Sequence, residues 1–163
     1  MFTHSIIQNA VEIAATFAST QAVMVTPFLV PQQGGFVFST GVSEEANILW
    51  ASTYADDNIL LTQAHQKGLL QNGSTFIDTE VIPQQELLKS RFYREFLSTL
   101  NIGRALVSVV FGGAPDFPTT IISIFRNFRE PAFNEQDKAW IKLLVAHVSQ
   151  AMALTFRLET RRV

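Results

Sequence analysis

The feature that most constrains the fold of this chain is its closing stretch, FNEQDKAWIKLLVAHVSQAMALTFRLETRR, which runs from Phe133 to Arg162. Neither proline nor glycine interrupts it. Asn134 is a favourable N-cap. The carboxylate of Asp137 lies where it can accept a hydrogen bond from the backbone N–H of the cap residue and interact favourably with the positive end of the helix dipole. The stretch therefore predicts one helix of about seven to eight turns at 3.6 residues per turn.

The apolar residues of this helix form two neighbouring stripes. The first stripe contains Trp140, Leu144, His147, Ala151, Leu154 and Leu158, and the second contains Ile141, Val145, Val148, Met152 and Phe156. A helix that is apolar over so much of its circumference must be covered on two sides. We expect its own domain to cover one side, and a second copy of the chain, or a segment that follows Val163, to cover the other.

The residues from Thr3 to Ser19 predict a first helix of the same kind. Ser5 and Gln8 have the spacing of a capping box, and the apolar residues again fall on two adjacent faces. Each of the two helices can supply the apolar surface that the other lacks. We therefore expect them to pack together and to form the interface of a homodimer.

Composition limits the kinds of partner. The 163 residues are enough for one domain with its own core, and the contrast of 47% hydrophobic with 16% charged residues suggests that further surface is buried in an oligomer. The net charge is −2 and basic residues cluster only near Arg161, so we expect no direct nucleic-acid binding by this chain. No apolar run reaches the ~20 residues of a membrane span, and the absence of cysteine fits a cytoplasmic protein.

The middle of the chain alternates between strand and helix patterns, which predicts an α+β domain built on an antiparallel sheet. Strands are predicted over Gln21–Val30, Gly35–Ser39, part of Asn72–Ile82, Ala105–Phe111 and Thr119–Phe128. Turn residues lie between the first and second of these strands and between the fourth and fifth. They predict two antiparallel hairpins. Helices are predicted over Ser43–Tyr54, over Asn58–Gln66 opened by Asp56 and Asp57, and over Gln84–Leu100 with a weak point near Ser90 and a stop at Gly103.

Two segments resemble a known family. Phe133, followed after three residues by Asp137 and then by the small and apolar residues of the last helix, resembles the end of a GAF domain. SRFYREFLSTLNIGRAL (Ser90–Leu106) and REPAFNEQDKAWIKLLVAHVSQAMALTFRLE resemble the GAF-like sensor domains of bacterial LuxR-type transcription regulators. Those domains commonly carry Pro-His in the closing helix, whereas Ala146-His147 stands here, which keeps the histidine and removes the kink.

The resemblance implies a GAF/PAS-like antiparallel sheet flanked by helices, with long N- and C-terminal helices packed together. It also implies that residues 1–163 form a single sensor and dimerisation domain, in which a bound ligand shifts the closing helix to control a DNA-binding helix-turn-helix domain. No helix-turn-helix pattern occurs in these residues. We expect either a truncated chain or a stand-alone member.

No pattern indicates a catalytic residue, a metal site or a cofactor. His4, His65 and His147 fall on different predicted elements and lack HxxxH or HExxH spacing. The absence of cysteine excludes the thiol chemistry of GAF-type methionine-sulfoxide reductases and bilin attachment. Lys138 stands where cyclic-nucleotide-binding GAF domains carry glutamate, which argues against that ligand.

Four aromatic residues of the middle helices are the candidate ligand-binding residues: Trp50, Tyr54, Phe92 and Phe96. Aromatic residues at helical spacing usually pack a core. Trp50 and Tyr54, however, carry polar groups that an apolar core must satisfy, so a cavity beside them would suit a small apolar or aromatic ligand. The leading hypothesis is a ligand-binding sensor and dimerisation domain of a LuxR-type regulator. A structural dimerisation module with a filled core and a small enzyme of unknown reaction are the alternatives.

Overall fold

The computed structural model describes residues 12, 15–29, 35–113 and 117–161, except for the side chains of Phe156, Glu159 and Thr160. The helix predicted over Thr3–Ser19 lies mostly outside these residues. Glu12, Ala15 and Thr16 are helical, but the packing of a first helix on the last one stays a prediction. The glycine-rich turns at 31–34 and 114–116 also lie outside the described residues.

The described residues form a five-stranded sheet and helices on both of its faces. The strands are β1 (Gln21–Val25), β2 (Val37–Thr40), β3 (Thr75–Ile77), β4 (Arg104–Phe111) and β5 (Thr120–Arg126). The helices are α1 (Glu44–Leu49), α2 (Ile59–Gln66), α3 (Asp78–Val81), α4 (Gln84–Lys89), α5 (Arg91–Glu95) and α6 (Glu135–Thr160). A π-helical segment (Trp50–Tyr54) continues α1, and a 3₁₀ turn (Leu97–Leu100) follows α5.

The sheet is antiparallel throughout, with the strand order β2-β1-β5-β4-β3. This order confirms both predicted hairpins and places β3 at an edge. The first strand ends five residues earlier than predicted because Pro27, which has no N–H to donate, lies in a turn closed by the Leu29 N–H and the Thr26 carbonyl.

Alternation along the strands gives the sheet two apolar faces. Ala105, Val107 and Val109 belong to one buried cluster, together with side chains of α1 to α5; we call this side of the sheet the cavity face. Leu106 and Val110 belong to a second cluster with α6, on what we call the α6 face. The middle helices therefore cover the face opposite the last helix.

Local hydrogen bonds correct two predicted helix boundaries and confirm the predicted weak point at Ser90. Asn58, and not the preceding aspartates, opens α2, since its Oδ1 accepts the Leu61 N–H at 3.2 Å. Ser90 divides the third predicted helix, with its own extended backbone and with its hydroxyl accepting the Tyr93 N–H. Asn101, in the left-handed conformation at φ 58°, ends the 3₁₀ turn before Gly103 is reached.

The last helix has the predicted start and the predicted length. Asn134 Oδ1 accepts the Asp137 N–H and Asp137 Oδ2 accepts the Asn134 N–H, both at 2.9 Å, which is a reciprocal N-cap. Ile141 and Val145 are buried against the α6 face, which confirms that the chain itself covers one stripe. The other side remains exposed, with Trp140, Leu143, Leu154 and Leu158 each more than half accessible. Within the described part of the chain, no helix combines the length and apolarity that crossing a membrane requires.

Candidate functional site

The main candidate site is a cavity of about 80 Å³ between the cavity face of the sheet and the helices that cover it. Apolar side chains dominate its wall: Val23, Val25, Ile121 and Phe125 from the sheet, and Trp50, Leu87, Phe92, Phe96 and Leu97 from the helices. An apolar cavity of about 150 Å³ is known to bind benzene. A cavity about half that size suits a ligand of a few heavy atoms, or one ring if a lining side chain moves.

The structure places three of the four predicted ligand-binding residues in the cavity wall. Phe92 and Phe96 are buried there and stack on each other with ring centroids 5.6 Å apart, and Trp50 lines the cavity while remaining half-buried. Tyr54 is not part of the wall. Its ring packs behind Phe96, at a centroid distance of 5.2 Å. Tyr54 therefore supports the aromatic wall from behind.

A π-helical segment begins at Trp50, a residue that lines the cavity. The Ala55 N–H bonds to the Trp50 carbonyl at 2.7 Å, a five-residue step that widens the helix by one residue. π-helical segments are rare in proteins, and those that occur are frequently found at functional sites. Sequence periodicity predicted an ordinary helix here, because a single inserted residue leaves no compositional trace.

The hydroxyl group of Tyr54 is already satisfied without a ligand. It donates to Glu95 Oε2 at 3.2 Å, and the guanidinium group of Arg91 lies over the Tyr54 ring while also pairing with Glu95. Burial, the hydrogen bond to Glu95 and the charge of Glu95 all raise the pKa of Tyr54. This network holds the aromatic wall from the solvent side. It also identifies Glu95 as the partner of the Tyr54 hydroxyl, which the sequence alone did not identify.

Asp78 is a lining residue that sequence reasoning missed. It is the first residue of α3, directly after β3, and is only 4% exposed. Its Oδ1 accepts the Ala105 N–H at 3.1 Å, where the ladder between β3 and β4 has ended. Burial raises the pKa of Asp78, although the hydrogen bond from Ala105 and the charge of Arg104 act in the opposite direction. The segment was predicted as loop and edge strand, in which an acidic residue is ordinarily exposed.

Two other polar residues at the cavity, Asn47 and Asn58, have local partners, whereas Arg104 is only partly satisfied. Asn47 donates to Ser39 Oγ at 2.7 Å, and Asn58 caps α2. Arg104, whose guanidinium lies 5.6 Å from the Phe128 ring centroid, has a buried Nε without a hydrogen-bond partner among the described residues. No group of three or more histidine or acidic side chains in the described ranges could hold a metal ion.

Asp78→Asn is expected to stabilise the fold at neutral pH. The amide keeps an acceptor for the Ala105 N–H and removes an ionisable group from an apolar site. Because the folded pKa is raised above the unfolded value of about 3.9, Asp78 destabilises the folded state increasingly as the pH rises through these two values. Urea unfolding should show a higher midpoint for the variant at about pH 7, and the two midpoints should converge at pH values below about 4. A wild-type protein that is more stable at neutral pH would contradict this account.

No model of a protein family matches the sequence, and no curated protein matches it. Among solved structures, the chain is similar to the crystal structure of the GAF domain/HD domain protein from Geobacter sulfurreducens, with a TM-score of 0.64 and 16% sequence identity. The match covers 96% of this chain and 94% of that chain. The fold is GAF-like. This confirms the coarser part of the resemblance, whereas the assignment to LuxR-type regulators stays a prediction.

Within this GAF-like fold, two elements connect the cavity with α6. In β5, Ile121, Ser123 and Phe125 line the cavity while Ile122 and Ile124 pack on the α6 face. The next residue of β5, Arg126, lies over the ring of Phe133 at 4.2 Å and 3.8 Å from the Asp137 carboxylate.

The second connection is the short helix α3. Its first residue, Asp78, lines the cavity, and its third, Glu80, forms an ion pair of 2.8 Å with Lys138 of α6. Burial alone would raise the pKa of Glu80, but hydrogen bonds from Lys138 and the Ile77 N–H, with the charge of Lys138, lower it. Glu80 is therefore held in its charged form beside the start of α6.

Proposed function

We propose that this chain is a sensory module that binds a small, mainly apolar ligand in the cavity and transmits binding to α6. The observation that carries the proposal is the cavity itself, which lies inside a GAF-like fold with Trp50, Phe92 and Phe96 in its wall. A well-packed domain leaves few voids larger than a water molecule. Ligand pockets are typically apolar, with a small number of placed polar groups.

The connection to α6 supports a sensing role. A ligand that displaces β5 or α3 would act directly on Arg126 or Glu80, and both contact the first turns of α6. A ligand shifts such an equilibrium only by its difference in affinity for the two arrangements. We therefore expect a ligand that shifts α6 to bind one arrangement of α6 more tightly than the other.

The exposed stripe of α6 supports a homodimer as the form in which the module works. Leu143 and Leu154 lie three helical turns apart on one side of α6 and are both 60% exposed. A movement of α6 would then change the geometry between the two copies. The finer assignment, control of transcription in a LuxR-type regulator, rests on the two segments that resemble those proteins. A helix-turn-helix domain encoded in frame after Val163 would support it.

Nuclear magnetic resonance can test ligand binding, because the chain has two tryptophans in different places. The indole N–H of Trp50 reports on the cavity, and that of Trp140, which is 51% exposed on α6, reports on the last helix. Thiophene and benzene are suitable apolar probes. Titration should move the Trp50 resonance to saturation, with a smaller effect at Trp140.

A variant that fills the cavity provides the control. Ser123 lines the cavity and is 7% exposed, so Ser123→Leu should weaken probe binding by about tenfold or more. Ser98→Leu, on the exposed surface of the 3₁₀ turn, should bind like the wild-type protein. If neither probe moves Trp50 in the wild-type protein, the cavity is not a ligand site and the structural dimerisation module is the better description.

A further inference from the structure

The carboxyl group of Asp78 is an unusual component of the cavity wall. Among the described residues it has no ion-pair partner within 4 Å, although the charge of Arg104 acts on it, and it accepts hydrogen bonds from the Ala105 N–H and from its own backbone N–H. A carboxylate offers about four acceptor positions. An acidic side chain that is 4% exposed is ordinarily paired, since burying it with unused acceptors is costly.

The structural role of Asp78 does not require a carboxylate. Acceptance of the Ala105 N–H at the end of the β3–β4 ladder needs a single oxygen, which the side-chain amide of asparagine would supply without burying an ionisable group. The additional property of a carboxyl group at this place is a strong acceptor in the wall of the cavity.

We propose that the ligand of this cavity is a compact apolar molecule that carries one hydrogen-bond donor, an N–H or O–H group, and that Asp78 accepts that donor. The proposal rests on the proposed function, because it requires a ligand in the cavity. It specifies one polar contact of the ligand: the apolar wall selects the body of the molecule, and Asp78 selects a donor over an acceptor at its own place in the wall, apart from Arg104, whose Nε is itself a donor. Trp50, Phe92 and Phe96 would contact the body.

Three five-membered rings of nearly equal size test this assignment. Pyrrole has an N–H donor, furan has the same shape without a donor, and oxazole presents an acceptor nitrogen. Titrations are followed through the indole resonance of Trp50. The wild-type protein should bind pyrrole about tenfold or more tightly than furan, and oxazole no better than furan.

Asp78→Asn provides the decisive comparison because it preserves shape and the acceptor for Ala105 while it places an amide N–H₂ at the cavity. The preference for pyrrole over furan should fall to about threefold or less, and oxazole should gain affinity. An unchanged amide spectrum away from the cavity would show that the variant is folded. Equal binding of pyrrole and furan by the wild-type protein, tighter binding of oxazole than of pyrrole, or an unchanged preference in the variant would each overturn the proposal while leaving the sensory function standing. If no ring binds, the sensory function itself is contradicted.

Discussion

Replacing Ile141 with alanine is expected to remove about 2–5 kcal/mol of folding stability. Ile141 has no exposed surface and packs on the α6 face of the sheet, so the substitution would leave a cavity under the long helix. Domains of this kind are stable by only about 5–15 kcal/mol in total. Urea unfolding at submicromolar concentration, where dimerisation contributes little, would measure the loss.

Leu143→Ala is the matched control, since leucine and isoleucine are isomers and both substitutions remove the same atoms. Leu143 lies two residues further along α6 and is 60% exposed, so the stability of the monomer should change by no more than about 0.5 kcal/mol. Similar losses at both positions would show that the two stripes of α6 have been assigned to the wrong sides.

The chain is expected to be a homodimer at tens of micromolar, and the double variant Leu143→Glu, Leu154→Glu is expected to be a monomer. Both side chains are 60% exposed on the side of α6 that the chain itself does not cover, and carboxylates placed there would have to be desolvated in any helix–helix interface. Light scattering or sedimentation would measure the change in mass.

A third substitution separates the effect of the interface from that of charge. Lys142 is exposed and lies outside both apolar stripes, so Lys142→Glu should leave the mass of the dimer unchanged although it adds negative charge to the same helix. A wild-type chain that is monomeric at these concentrations would contradict the dimer. A double variant that remains dimeric would show that the exposed stripe is not the interface.

Local signals account for most of what could be predicted about the fold. The apolar, β-branched runs of β4 and β5 and the cap formed by Asn134 and Asp137 act over a few residues, and each produced the expected element. The misplaced boundaries have equally local causes. Asn101 could end a helical segment because asparagine tolerates the left-handed conformation, and the sequence offered Gly103 two residues later as an apparently stronger stop.

The candidate site was predictable only in part. Trp50, Phe92 and Phe96 stand at helical spacing on segments that pack on the sheet, so periodicity was enough to select them. Tyr54 belongs to the same pattern, but its hydroxyl is satisfied by Glu95, which is 41 residues away in sequence. Asp78 could not be found at all, because its burial depends on the amide of Ala105 in a neighbouring strand.

The sequence by itself determined that the last helix has two apolar sides, because the positions of side chains around a helix follow from its 3.6-residue repeat alone. It also determined the strands, the antiparallel hairpins and the α+β class. Only the tertiary structure decided which stripe is buried: Ile141 and Val145 meet the sheet, whereas Leu143 and Leu154 face outward. Likewise only the tertiary structure left a cavity beside Trp50 and placed a carboxyl group in its wall. Both outcomes depend on contacts between residues distant in sequence, which no repeat or local preference encodes.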